Sequence, residues 1–305
     1  MGDTMLAYFP TRRAILNFPG SDHTIHLAGI GEVHYTAAGH GPPVVLLHGL
    51  AASSVAWRYN IHALSQRYAV FAPDMPGHGD SAKPGVRYDT EFGLRFLHQF
   101  LDALRLDSPI LIGNSTGGFL ALVWALRHPG RAQALVLSDI PGMGKEVAWP
   151  LRLAAFPGIG RLLDSMDVTT GGRFAPRLFR HPERMAPEVR KELFRLRKLP
   201  GASRAMRSAL RSGIGLMGLR SSMLLLHHDG ASLPAPTLVV WGQDDRILPV
   251  KQALRFARRF PGVQLNILPD CGHWPQMEQP DAFNDLVFAF LDKVAGVKDA
   301  YKPDV

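Results

Sequence analysis

A serine flanked by glycines, in Gly113-Asn114-Ser115-Thr116-Gly117-Gly118, is the strongest chemical signal in the chain. It follows the apolar run 109–112 and opens an apolar-periodic run at 117–127, so a strand leads into it and a helix leads out. In such a strand-to-helix turn, small residues on either side let the backbone bend sharply and expose the serine hydroxyl. The helix N-terminus behind it supplies amide donors for an anion. The pattern predicts that Ser115 is a nucleophile.

A nucleophilic serine needs a base that accepts its proton and an acid that orients the base. Asp245 comes just after the predicted strand 237–241, and His273 just after the predicted strand 264–268. The chain order Ser, Asp, His is the order expected with this turn. We therefore predict His273 as the base and Asp245 as the acid of acyl-transfer chemistry.

Two other carboxylates compete with Asp245 for the role of the acid. Asp244 is its immediate neighbour, and a shift of one residue would point it in another direction. Asp139 follows the predicted strand 134–138 and so lies at another strand end.

The elements that would position these residues are short strands and amphipathic helices. Strands are predicted at 23–27, 32–37, 43–47, 68–73, 110–112, 134–138, 237–241 and 264–268. Helices are predicted at 90–104, 117–127, 251–260 and 281–294. The first three strands are closely spaced and predict a meander, whereas the later ones are separated by helices and should be parallel. The expected fold class is α/β, with a mostly parallel eight-stranded sheet and helices on both faces.

The alternation of strands and helices stops at residues 141–233. This segment is predicted to form a helical cap, inserted between a first core segment, 1–140, and a second, 234–305. Helical pieces are expected at 187–198 and 203–211, and no strand is expected in the insertion. Apolar side chains of the insertion should line a substrate pocket over Ser115. They are Leu151, Leu153, Phe156, Leu162, Leu163, Met166, Phe174, Phe179 and Met217.

The composition of the chain limits the classes of protein to which it can belong. The single cysteine, Cys271, excludes an internal disulfide framework and a thiol-rich metal site. The N-terminal segment 1–13 carries Asp3 and only a short apolar run, and no apolar run elsewhere is long enough to span a bilayer. We therefore expect a cytoplasmic protein without an integral membrane segment.

The formal net charge of +8 is concentrated in the insertion, where 16 basic and 7 acidic residues give +9. Solvated helix faces account for most such residues. The same charge favours weak attraction to anionic surfaces or substrates. No nucleic-acid recognition motif accompanies it, so nucleic acid is not an expected partner.

The chain resembles the α/β-hydrolase superfamily in four blocks. They are His48-Gly49 with Trp57 downstream, the run 74–81 (DMPGHGDS), the turn at Ser115, and Trp241-Gly242-x-x-Asp245 paired with Gly272-His273. The resemblance implies the α/β-hydrolase fold with a cap and favours Asp245 as the acid. It also implies an oxyanion hole made by the backbone N–H groups of Leu50 and Thr116, and no metal or organic cofactor.

Within that superfamily a serine nucleophile disfavours the branches that use aspartate, and carboxylic ester hydrolysis is the default expectation. Asn114 and the run 271–278 (CGHWPQME) also resemble meta-cleavage product hydrolases, which split C–C bonds. That resemblance implies substrate binding by Asn114 and Trp274. A third alternative is a non-catalytic ligand-binding homologue, which the presence of all three catalytic residue types disfavours. The expected partner is a small ester or an aryl or acyl compound, and the oligomeric state is left open.

Overall fold

The computed structural model describes residues 20–156, 158–160, 177–225 and 232–299, which are organised around an eight-stranded sheet. The strands of this sheet are β1 (Ser21–Leu27), β2 (Gly31–Ala38), β3 (Pro43–Leu47), β4 (Ala69–Pro73), β5 (Ile110–Asn114), β6 (Ala134–Ser138), β9 (Thr237–Gly242) and β10 (Gln264–Leu268). All eight predicted strands are present, and the sheet is mostly parallel as expected.

The strands lie in the order β1-β2-β4-β3-β5-β6-β9-β10. β2 is antiparallel to β1 and β4, and the other neighbouring pairs are parallel. The predicted meander is therefore wrong for the third strand. Tyr35 of β2 lies opposite Pro73 of β4, and Val44 of β3 pairs with both Val70 and Ile110. The spacing of the strands along the chain could not reveal that β4 lies between β2 and β3, because this order depends on pairings between residues that are distant in sequence.

Helices cover both faces of the sheet. In the described part of the chain the α-helices are α1 (Arg58–Ser65), α2 (Thr90–Ala103), α3 (Thr116–Arg127), α4 (Trp149–Ala154), α5 (Pro187–Arg197), α6 (Ala202–Gly213), α7 (Lys251–Arg259), α8 (Pro275–Glu278) and α9 (Pro280–Asp299), of which α4, α5 and α6 belong to the insertion between β6 and β9. Val45 and Leu47 of β3 pack in the cluster that contains α2, α3 and α7, whereas Val44 and Leu46 pack with α1 and α9. Because both faces are buried, the central strands are continuous apolar runs and not alternating ones. Among the described helices, none combines the length and hydropathy that crossing a membrane requires.

Between β6 and β9 the described residues include α5 and α6, which agree with the helices expected at 187–198 and 203–211, and α4, which was not expected. A pair of two-residue antiparallel strands, β7 (Ile214–Gly215) and β8 (Gly218–Leu219), corrects the expectation that the insertion contains no strand. The pair is too short for periodicity to indicate it. The pocket residues Leu162, Leu163, Met166 and Phe174 predicted above lie outside the described residues.

The stability of the sheet should depend on side chains buried between its layers. Ile112→Ala removes a side chain with 0% exposure and should lower the free energy of unfolding by about 2–5 kcal/mol. Leu254→Ala, at a residue that is 41% exposed, is the control and should change it by about 0.5 kcal/mol or less. Urea unfolding followed by circular dichroism measures both. Equal losses in the two variants would contradict this account of the core.

Candidate active site

Ser115 stands at a sharp turn between β5 and α3. Its backbone has φ 54° and ψ −122°, a conformation that non-glycine residues rarely adopt. The turn is held by a hydrogen bond in which the Ser115 N–H donates to the Ser138 carbonyl at 2.8 Å. A Cβ atom at Gly117 would collide with the carbonyl oxygens of Leu47 and His48. The glycine is therefore required by close backbone packing at the carboxyl edge of the sheet.

His273 and Asp245 form a buried hydrogen-bonded pair at the same edge. His273 Nδ1 lies 2.7 Å from Asp245 Oδ2. The other carboxylate oxygen of Asp245 accepts from the N–H groups of Ile247 at 2.7 Å and Leu248 at 3.0 Å. When Nδ1–H donates to the carboxylate, Nε2 is the nitrogen left to exchange a proton. Asp245 therefore occupies the position of an orienting acid.

The rival Asp244 lies elsewhere. Its carboxylate is 40% exposed and is 3.6 Å from Arg180 Nε. In the turn that follows β9, the side chain of Asp245 is thus buried while that of Asp244 lies at the surface. Of these two neighbours, Asp245 is the one whose carboxylate contacts His273.

The other rival, Asp139, is fully buried beside the pair. One oxygen from each of Asp139 and Asp245 and a ring nitrogen of His273 lie within 4.8 Å of one another. Asp139 Oδ1 accepts from the Gly242 N–H at 2.9 Å, and Oδ2 accepts from the Ser138 hydroxyl at 2.7 Å. Burial, and then the negative charge of Asp245, raise the pKa of Asp139 well above its usual value. Asp139 is therefore favoured as a neutral carboxylic acid next to the orienting carboxylate.

Among the described residues, this trio is also the one group of acidic, histidine or cysteine side chains close enough to hold a metal ion. Backbone N–H groups and a hydroxyl already donate to the carboxylate oxygens. A metal ion would compete with these N–H and O–H donors for the same carboxylate lone pairs. The arrangement therefore fits a hydrogen-bonded proton-transfer site better than a metal site.

Asn114 was expected to contact the substrate, and its position corrects that expectation. Its side chain is fully buried, and its amide donates to the His273 carbonyl at 3.1 Å and the Ser138 carbonyl at 3.4 Å. It is not among the residues that line the cavity. Asn114 therefore ties the serine turn to the histidine loop.

The histidine loop is also anchored to the insertion. The His273 N–H donates to the Leu178 carbonyl at 2.7 Å. The buried carboxylate of Glu278 accepts from the N–H groups of Gly272 at 2.7 Å and His181 at 2.7 Å. A Cβ atom at Gly272 would lie 2.6 Å from the Arg180 nitrogen, which explains the glycine before the histidine. The histidine loop is thus held by Leu178 of the insertion and by the carboxylate of Glu278.

The predicted oxyanion donors, Leu50 and Thr116, both line the cavity beside Ser115. Thr116 begins α3, so its N–H precedes the first helical hydrogen bond and is free to point outward. The loop before Leu50 is fixed by His48, whose Nε2 accepts from the Met75 N–H at 2.9 Å and whose Nδ1 lies 2.7 Å from the Gly49 carbonyl. The shape of this loop therefore depends on a buried histidine.

A cavity adjoins Ser115, His273 and Trp274. Its walls are mainly apolar and include Phe119, Leu120, Val147, Leu151, Met206 and Leu210. Of the described apolar residues predicted to line it, Leu151 does so. Leu153 is half-buried outside the lining, Phe156 and Met217 are exposed, and Phe179 packs against Trp274. The contribution of α6 was missed, although its apolar residues recur at helical spacing (202, 205, 206, 209, 210) and could have indicated it.

The raised pKa of Asp139 predicts a pH-dependent effect of Asp139→Asn. The folded protein retains a proton there that the unfolded chain releases above about pH 4, so the contribution of this group to the free energy of unfolding falls as the pH rises. The amide can still accept from Gly242 and donate to Asp245. Relative to wild type, the variant should therefore gain stability between pH 5 and pH 8, by at most about 1.4 kcal/mol per pH unit. Urea unfolding across that range measures the difference, and a relative loss of stability with rising pH would contradict it.

Comparison with known proteins places this geometry in a family. The family model described as alpha/beta hydrolase fold matches residues 42–280. The chain is 31% identical over 277 residues to the 2-hydroxy-6-oxo-6-(2'-aminophenyl)hexa-2,4-dienoic acid hydrolase of Metapseudomonas resinovorans, covering 90% of this chain and 92% of that protein.

Two solved structures are similar in fold and sequence. A variant of the meta-cleavage product hydrolase of Pseudomonas fluorescens IP01 with bound acetates has a TM-score of 0.71 and 28% identity, over 89% of this chain and 97% of that one. A thermophilic esterase of Thermogutta terrifontis has a TM-score of 0.69 and 27% identity, over 90% and 99%. With its serine turn, its buried histidine–aspartate pair and this match over most of its length, the chain belongs to the α/β-hydrolase-fold family of hydrolases.

Proposed function

We propose that this hydrolase cleaves carboxylic esters with apolar acyl groups through an acyl-enzyme on Ser115. The observation that carries the proposal is the lining of the cavity beside Ser115. Its walls are apolar, and none of the described residues that line it is lysine or arginine. An uncharged acyl group would be well accommodated there, whereas a carboxylate would lose its hydration without a cationic partner.

The chemistry follows from the positions of the three side chains. Ser115 Oγ attacks the ester carbonyl carbon while His273 Nε2 accepts the hydroxyl proton. The carbonyl oxygen becomes an oxyanion, which accepts hydrogen bonds from the N–H groups of Leu50 and Thr116. The bond to the alkoxy group then breaks, and the alcohol leaves with the proton from His273.

Water completes the cycle. It attacks the acyl carbon as His273 Nε2 accepts a proton from it, the bond between the acyl carbon and Ser115 Oγ breaks, and the serine recovers its proton. Asp245 keeps the imidazole oriented and stabilises its charged form in both halves. Residues 141–233 serve as the cap that supplies much of the cavity wall, through residues such as Leu151 and Met206.

A second candidate is C–C bond hydrolysis of a meta-cleavage product. It is supported by the relative from Metapseudomonas resinovorans, whose name states such a substrate, and by the position of Trp274 in the cavity wall. Its substrates carry a carboxylate, which the described lining of the cavity does not neutralise. We therefore rank it second.

Steady-state hydrolysis of p-nitrophenyl esters, from acetate to dodecanoate, tests the proposal. Wild type should turn over the medium-chain esters, and Ser115→Ala should lower kcat by about a thousandfold or more. Ser65→Ala, at a serine of α1 that lies outside the cavity, is the matched control and should leave kcat unchanged.

The same preparation should be assayed with 2-hydroxy-6-oxo-6-phenylhexa-2,4-dienoate, followed by loss of its absorbance. A kcat/KM for this dienoate that exceeds that of every ester would contradict the ester proposal and favour the second candidate. Turnover of neither substrate class by a folded protein would favour the non-catalytic alternative.

A further inference from the structure

Large apolar side chains are exposed on the insertion. Trp149 at the start of α4 is 65% exposed, and Leu216 and Met217 are 59% and 77% exposed. Exposed apolar residues that occur singly need no explanation, but a group of them on one surface commonly marks an interaction site. These three are the most exposed of the large apolar side chains in the described part of the chain.

The three residues come from elements that are packed together. Leu216 and Met217 form the turn between β7 and β8. β8 rests on the segment before α4, where the Leu219 N–H donates to the Lys145 carbonyl at 2.9 Å, and α4 itself packs against β7. We call Trp149, Leu216 and Met217 the apolar tip.

The apolar tip adjoins the wall of the active-site cavity. Val147 and Leu151, on either side of Trp149 in sequence, line the cavity. So do Ile214 and Leu219, on either side of the turn. The same short elements thus present apolar side chains to the cavity and to solvent.

Basic residues are frequent in the two segments that carry the apolar tip, and we call them the basic rim. The segments 145–160 and 207–225 contain five basic residues and one acidic residue. The basic ones are Lys145, Arg152, Arg207, Arg211 and Arg220. The acidic one, Glu146, is paired at 3.0 Å with both Lys251 and Arg255, so its charge does not offset the others.

An apolar tip within a basic rim has the chemistry of a peripheral membrane contact. Apolar side chains enter the interface between headgroups and acyl chains, and cations are attracted to anionic headgroups. A second copy of this chain would bring the same positive charge face to face, which disfavours self-association through this surface.

We propose that the apolar tip and its basic rim bind the surface of an anionic phospholipid bilayer. Binding there would place the cavity at the membrane, where apolar esters dissolve. The binding itself does not depend on the reaction, whereas the supply of membrane-dissolved substrate rests on the proposed function.

Co-sedimentation of the full chain with vesicles tests the binding. Wild type should bind vesicles of equimolar phosphatidylglycerol and phosphatidylcholine at 50 mM NaCl, and should bind less at 500 mM NaCl because salt screens the charges. Vesicles of phosphatidylcholine alone should bind it at least about tenfold more weakly. No binding of wild type to the anionic vesicles would overturn the proposal.

Variants separate the apolar from the electrostatic contribution. Leu216→Asp/Met217→Asp should weaken binding at least about tenfold, and Lys145→Glu/Arg211→Glu should do the same. Phe194→Asp on α5 is the control for the first variant, because Phe194 is 39% exposed and lies outside the two segments. Arg258→Glu/Lys293→Glu, at exposed positions of α7 and α9, is the control for the second. Equal losses in variants and controls would overturn the assignment of the surface.

Two further measurements exclude other causes. Circular dichroism should show that each variant is folded, and hydrolysis of p-nitrophenyl butyrate in solution should stay within about twofold of wild type, since none of these residues lines the cavity. Sedimentation velocity should show no change in oligomeric state. Self-association that the Leu216/Met217 variant abolishes, without vesicle binding by wild type, would identify the tip as a contact between copies and overturn the proposal. Vesicle binding without ester turnover would refute the proposed function and leave the membrane surface intact.

Discussion

The left-handed backbone at Ser115 is the constraint on which the site depends. A serine at φ 54° is conformationally costly, so the surrounding structure must hold it in place. Gly113, Gly117 and Gly118 leave room for the turn, and the Ser138 carbonyl accepts a hydrogen bond from the Ser115 N–H. Asn114, immediately before the serine, connects the same turn to the His273 carbonyl. The positions of Ser115 and His273 are therefore set by one buried network.

That network continues through two carboxyl groups at the ends of β6 and β9. Asp139 also has a positive φ, 48°, and its oxygens accept from Ser138 and from the backbone of Gly242. Two ionised carboxylates so close together, and buried, would repel each other strongly. A neutral Asp139 removes that repulsion and leaves the negative charge on Asp245, where the imidazolium of His273 needs it. A neutral Asp139, which resembles a rival acid in the sequence, would thus support the role that we propose for Asp245.

Much of the fold and of the site could be predicted from the sequence, because strand lengths, helical periodicity and strand-end positions are local properties. The strands that carry Ser115, Asp245 and His273 were predicted, and the parallel sheet brings those residues to one edge. The exchange of β3 and β4 could not be predicted, since it depends on pairings between distant segments. The inward position of Asn114 and the contact between Asp139 and Asp245 depend on side-chain packing across three strands, which no spacing along the chain encodes. The substrate is harder still to predict from the sequence, because the cavity is lined partly by an insertion whose sequence has little periodicity outside its helices.

The central claim is that Ser115 is a nucleophile activated by His273. The most direct measurement is covalent trapping with diethyl p-nitrophenyl phosphate, which transfers a diethylphosphoryl group to an activated serine as p-nitrophenolate leaves. Intact-mass spectrometry should show a single adduct, and peptide mapping should place it on Ser115. His273→Ala should react far more slowly, and Ser115→Ala should acquire no adduct. An unmodified wild-type protein, or an adduct on another residue that persists in Ser115→Ala, would contradict the account.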